Sequence, residues 1–309
     1  MSAIVKNIHD DNNHNIENNL SATFMNNLSV ADIAEATRIG DALIAKNKLK
    51  PSDIEKILKL QIEKKILFGE AASQLGLVTK HDIESVLAHQ FNYPYVREIS
   101  SSVSKLLTAA HAPFSNEVEN LRSLRSQLMM RWFNQGNKTL AITSCNSQEN
   151  GHLMAANLAI VFSQLDKKTL LIDANLRQPN QHQLFGVDTK LGLTNILGNQ
   201  HGSYELTRPK SLPNLAVLAA GTEVPNPQEL LSLAAFSSLL SNLENIYDII
   251  LIDTTPLSLA SDLLSVVSIT KAAVIVAKKG VSHASEIQVL LQQLNTTGTN
   301  VLGSIFQDQ

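Results

Sequence analysis

The chain has 309 residues, 44% of them hydrophobic, with 25 Lys and Arg against 28 Asp and Glu for a net charge of −3. That length suits two domains with separate cores, and the near-neutral balance excludes the strongly basic footprint of a nucleic-acid binder. The single cysteine, Cys145, rules out an intrachain disulfide, and no run approaches the roughly 18 apolar residues of a membrane span or forms a signal core. The reading is a cytoplasmic protein that meets a membrane only through a partner.

Residues 1–36 contain HDDNNHNIENN, with few apolar residues and no period. Such a segment buries too little surface to offset its ordering entropy and is expected to be a disordered arm. A small helical domain follows over 37–96. In it RIGDALIAKNKLKPSDIEKILKLQ (38–61) lines up with LFGEAASQLGLVTKHDIESVLAHQ (67–90). Gly40 falls on Gly69, Asp53-Ile54-Glu55 on Asp82-Ile83-Glu84, Leu58 on Leu87 and Gln61 on Gln90. Each unit reads as a short apolar helix, a turn and a capped amphipathic helix, with Ser52 or Asp53 as the first cap and Thr79 as the second. Read from the residues alone, these shared positions make a packing or docking domain.

The paired units resemble the N-terminal domain of type II secretion and pilus ATPases, the GspE/MshE N-terminal fold. In the MshE-type version, tandem RLGxxLxxxGxxxxxxLxxxLxxQ motifs bind cyclic di-GMP. The resemblance implies a cyclic di-GMP site on Arg38, Gly40, Leu43, Gly69 and Gly76. The sequence departs from the pattern at Asn47, in place of the first motif's second glycine, at Leu67, in place of the second arginine, and at Ala72, in place of a leucine. Losing a guanidinium weakens any pairing with phosphate or stacking on guanine.

A linker is expected over 97–114, then an α/β domain over 115–309. The latter opens with NEVENLRSLRSQLMMRWF, a helix that places Glu119, Arg122 and Arg125 in one stripe. Beyond it TLAITS (139–144), TLLIDA (169–174), LAVLAAG (215–221), DIILIDT (248–254), AAVIVA (272–277) and VLGSIF (301–306) are unbroken apolar runs, the mark of strands covered on both faces. Helical patterns at about 151–166, 227–245, 259–268 and 283–296 alternate with them. The fold class is therefore α/β, a doubly wound and mainly parallel sheet preceded by a small helical domain, with any ligand at the carboxyl ends of the strands.

Thr139 to Ala159 reads as strand, polar turn and helix, the frame of a phosphate-binding loop. Such a loop needs glycines to turn backbone N–H groups toward an anion, a lysine for the outer phosphates, and a Ser/Thr hydroxyl for magnesium. This turn offers Gln148, Glu149, Asn150, Gly151, His152 and Leu153. Two strands end in aspartate, Asp173 and Asp253. Paired strand-end carboxylates beside such a junction suit magnesium, although each alone reads equally well as a loop cap.

LLIDANLRQP resembles the hhhhDxDxR second Walker motif of bacterial tyrosine kinases (BY-kinases), and YDIILIDTTP resembles their Walker B strand. LPNLAVLAAGTEVPNPQELL and GLTNILGN match further family segments, and Glu119, Arg122 and Arg125 follow the family's ExxRxxR pattern of ring-like self-association. With its helical repeat, the chain is similar to EpsG-type chain-length-determinant kinases and to P-loop NTPases of the MinD type. The resemblance implies ATP and magnesium as cofactors, with Asp173 and Asp253 in catalysis and metal binding. It places residues 148–153 and Arg177 on the nucleotide, and a membrane polysaccharide co-polymerase of exopolysaccharide synthesis as the partner.

The departures lie where phosphate is touched. Gln148, Glu149 and Asn150 stand over the loop's GEG, Gly151 over its lysine and His152 and Leu153 over the Ser/Thr pair; slid one place, His152 stands over the lysine, and neither register supplies an ammonium or a magnesium hydroxyl. Asn175 stands over the second aspartate of hhhhDxDxR. The tyrosines are Tyr93, Tyr95, Tyr204 and Tyr247, with no C-terminal cluster. Phosphoryl transfer depends on positioning and charge neutralisation, so the expectation is a pseudokinase. The alternatives are an active kinase with an atypical loop and a MinD/ParA-like ATPase.

Overall fold

The computed structural model describes residues 39–90, 102–187, 191–198 and 206–308. The arm expected over 1–36 and Arg38 lie outside the described residues. The chain divides into two compact units, Met1–Asn92 and Tyr93–Gln309.

In the first unit a helical segment over 39–45 precedes α1 (Pro51–Lys64), α2 (Phe68–Gln74) and α3 (Lys80–Gln90). Lys50 is the N-cap of α1, with Pro51 in the first turn. Asp53 is therefore not the cap but the third helical residue, and its carboxylate accepts from the Lys50 N–H at 3.2 Å. Thr79 behaves as expected: its Oγ1 accepts from the Asp82 N–H, and Asp82 returns the bond to the Thr79 N–H.

The sequence repeat is a repeat of packing. A Cβ on Gly40 would lie 2.9 Å from Ile54 Cδ1, and one on Gly69 would lie 3.1 Å from Ile83 Cγ2, so each glycine admits the equivalent isoleucine. Asn47 and Gly76 are also equivalent, and both are left-handed, with φ of 56° and 66°. Asparagine tolerates that conformation better than most residues, so the turn survives the exchange. Leu43 and Ala72 are fully buried, whereas Leu67, at the place of the second arginine, is 67% exposed.

In the second unit the expected linker departs from expectation: from residue 102 onward it joins the body. Val103, Leu107, Ala109 and Ala110 are buried in the main core, and α4 (Thr108–His111) is fixed by the Ala109 N–H donating to Asn157 Oδ1 at 2.9 Å. Helix α5 (Asn116–Arg131) is capped by Ser115, whose hydroxyl accepts from the Val118 N–H.

The sheet contains β1 (Thr139–Ser144), β2 (Thr169–Ala174), β3 (Leu215–Leu218), β4 (Ile249–Thr254), β5 (Ala272–Lys278) and β6 (Asn300–Gln307). Their order is β3-β2-β4-β1-β5-β6 and each neighbouring pair is parallel. Alternate residues feed two cores. Leu140, Ile142, Leu171 and Leu251 pack with α5 and α6 (Gly151–Ser163). Ala141, Leu170, Ile172 and Ile252 pack on the opposite face. That face is covered by α9 (Pro227–Ser232), α10 (Ala234–Glu244), α11 (Asp262–Thr270) and α12 (Ala284–Thr296). Two short helices, α7 (Gln181–Phe185) and α8 (Leu193–Leu197), follow β2.

The helix pattern expected at 227–245 is split at Leu233, which is extended and 45% exposed. Strand β6 is not covered on both faces as its apolar run suggested; it is a sheet edge, with Phe306 65% exposed. The register aligns Asp173 with Asp253, and β1 lies on the other side of β4. The carboxyl ends of these central strands thus bring the candidate residues together.

Candidate functional site

The turn after β1 is a 3₁₀ turn over Ser147–Glu149, closed by Asn150 in the left-handed conformation with φ 54°. Asn150 thus adopts a backbone shape for which the loop pattern supplies glycine. Gly151 is already the first residue of α6; a Cβ there would meet the Ser144 side chain, its Oγ at 3.2 Å and its Cβ at 3.5 Å.

Most amides of this loop are spent internally. The Gln148 N–H donates to Asn146 Oδ1, the Glu149 N–H to the Asn146 carbonyl and the Asn150 N–H to the Ser147 carbonyl. Glu149 folds inward and is fully buried. Its Oε2 accepts from the N–H groups of Cys145 at 2.6 Å and Asn146 at 2.9 Å, and its Oε1 accepts from the Ser282 hydroxyl. Ser282 Oγ in turn accepts from the Lys278 N–H at 2.8 Å, which ties the loop to the end of β5.

Asp173 and Asp253 are both buried, at 0% and 1% exposure. Asp173 Oδ1 accepts from the Asn175 N–H, and its Oδ2 accepts from the N–H groups of Asn180 and Gln181. Burial pushes its carboxyl up to about 7 against the opposing pull of those three donors. Asp253 is pushed well above the ordinary carboxylate range, by burial first and then by the charge of Asp173. Both carboxyls therefore hold their protons to higher pH than an ordinary carboxylate does. On Asp253 sits the carboxamide of Gln181: its Nε2 donates to Asp253 Oδ2 at 2.7 Å and to the His152 carbonyl at 3.0 Å. His152 is itself half-buried, which lowers its ring pKa.

Asn175 uses its Oδ1 inside the fold, accepting from the Thr255 hydroxyl and the Gln178 N–H. Arg177 is engaged by another carboxylate. Its Nε and Nη2 bind the fully buried Asp262 carboxylate at 2.7 and 3.1 Å, a two-pronged ion pair across to the first turn of α11. On α5, Arg122 donates to the Pro113 carbonyl at 2.6 Å and to Glu119 at 3.0 Å, while the buried Arg125 donates to the Val161 carbonyl at 2.5 Å. Of that stripe, Glu119 is the exposed member, its side chain 68% accessible.

Gln181 thus links the start of α6 to the two aspartates, whereas Arg177 and the α5 stripe are paired with other groups. Gln181, Ser282 and Asp262 were missed by sequence reasoning. Gln181 lies on the buried side of a five-residue helix, too short to show a period, and Ser282 and Asp262 follow later strands. The one available signal was that Asp173 needed partners within its own loop.

Residues 152–302 match the AAA domain family AAA_31. The chain is 33% identical over 193 residues to the putative tyrosine-protein kinase CapB of Staphylococcus aureus, covering 62% of this chain and 85% of CapB. It is 26% identical over 312 residues to the putative tyrosine-protein kinase EpsB of Ralstonia nicotianae, covering 94% of this chain but 42% of EpsB. Among solved structures, the kinase domain of the Escherichia coli tyrosine kinase ETK superposes with a TM-score of 0.64 at 28% identity, over 69% of this chain and 83% of that one.

Proposed function

The chain belongs to the family of bacterial tyrosine-protein kinases, and on that premise we propose that it is a pseudokinase of exopolysaccharide synthesis. It keeps the family's α/β body as a regulatory surface. Its partner is the inward face of a membrane polysaccharide co-polymerase that sets chain length, and it works in the cytoplasm at the inner membrane. Among the described residues no helix is long and apolar enough to cross a membrane. Self-association through α5 belongs to the same proposal, with Glu119 as its accessible group.

The observation that carries this reading is the donor set at the strand ends. ATP and magnesium are the family's cofactors, and they supply the transferable phosphoryl group and its charge neutralisation. Residues 148–153 present no ammonium and no hydroxyl to them. The aspartates' oxygens are committed to backbone N–H groups and to Gln181. These residues do not fit a magnesium-bound nucleotide. Removing one electrostatic stabiliser from such chemistry costs about a hundredfold, and here several are missing together.

The test is incubation of the full chain with magnesium and ATP, followed for phosphate release and phosphotyrosine. The proposal predicts neither above background. Turnover that disappears in Asp253→Ala would establish the active kinase instead.

A further inference from the structure

The aspartate pair is more than stripped of family side chains. It is occupied. A strand-end carboxylate pair holds a cation, and here Asp253 receives the Nε2 of Gln181, whose own backbone N–H reaches Asp173. One residue thus contacts both aspartates and, through the His152 carbonyl, the first turn of α6. Gln181 is fully buried, and its Oε1 has no hydrogen-bond partner among the described residues. The carboxamide is therefore held for its NH₂ donors, at the cost of an unmet acceptor.

We propose that this chain fills its own cation site: the Gln181 carboxamide takes the cation's place on Asp253. The inference rests on the pseudokinase reading and deepens it, because it makes the strand ends a closed structural joint between β2, β4, α6 and α7. A substitution that merely restores a missing side chain leaves this occupant in place. A substitution that removes it uncovers the carboxylate beneath.

The test uses manganese, a divalent probe whose free form is read directly by electron paramagnetic resonance, titrated into the full chain. Wild type is expected to leave manganese free at millimolar concentration. Gln181→Ala, which vacates the space beside Asp253, is expected to bind it at least about tenfold more tightly, the equivalent of one net hydrogen bond of about 1.4 kcal/mol. The gain is expected to vanish when Asp253→Asn is added. Gln181→Asn, one methylene too short to reach Asp253, gives the same reading if Gln181→Ala fails to fold by Trp132 fluorescence. Manganese binding by wild type as tight as in the variants overturns the proposal, and so does no gain in either variant. The pseudokinase reading falls separately, on phosphotyrosine formation by wild type.

Discussion

Asp253→Asn isolates the energetics of the buried pair. In the folded chain Asp253 keeps its proton well above the ordinary range, because burial and the Asp173 charge both penalise its ionised form. In the unfolded chain it ionises near 3.8. A folded-state pKa that is raised makes stability fall as pH rises: the two states hold the proton alike below about pH 4, and above it the unfolded state releases a proton that the folded state retains. Each pH unit in that window costs roughly 1.4 kcal/mol. The loss grows until the folded carboxyl itself ionises, at about 4 °C of melting temperature per pH unit for a domain of this size. Asparagine carries no such proton, and its Oδ1 still accepts from Gln181 Nε2. The assay is thermal unfolding of both proteins followed by the fluorescence of Trp132, the single tryptophan, which lies in the second unit. The variant's advantage over wild type should widen steadily with pH. A difference that stays flat, or narrows, refutes the reasoning.

Other outcomes follow from the same packing. Arg125→Ala removes a buried guanidinium bonded to the Val161 carbonyl and should cost about 2 kcal/mol in urea unfolding. Self-association is therefore better probed by Glu119→Lys, which should change sedimentation at high concentration with little change in unfolding. Gly192→Ala would place a Cβ 2.3 Å from the Ala219 carbonyl oxygen and 2.4 Å from the Gly221 nitrogen, both backbone. A loss above about 2 kcal/mol is expected by denaturant titration. Calorimetric titration of the full chain with cyclic di-GMP should give no heat at micromolar protein, because Gly40, Leu43, Gly69 and Gly76 are already explained by packing and turn geometry. A saturable isotherm would restore the ligand reading.

The sheet was legible because its strands are covered on both faces, and two-sided burial leaves unbroken apolar runs such as Leu170-Leu171-Ile172. The edge strand escaped that logic, since Val301 to Phe306 is as apolar as a central strand but exposes Phe306. The repeat of the first unit was legible down to single positions, Gly40 with Gly69 and Asn47 with Gly76, because close approach and left-handed backbone restrict residue choice sharply. At the site, Asp173 and Asp253 were visible as strand ends. The side chain that joins them was not, because Gln181 acts from a helix too short for periodicity. The sequence shows Glu149 as one more polar loop residue; only the fold reveals that its carboxylate faces the loop's own amides. Arg177 illustrates the converse: the hhhhDxDxR pattern placed it on a nucleotide, and the buried Asp262, distant in sequence, claims it.

The central claim is that this kinase-family fold has a site satisfied from within. Calorimetric titration of magnesium and ATP into the full chain tests it most directly. The account predicts no saturable heat for wild type. A saturable isotherm at micromolar protein, lost in Asp253→Ala, would contradict it.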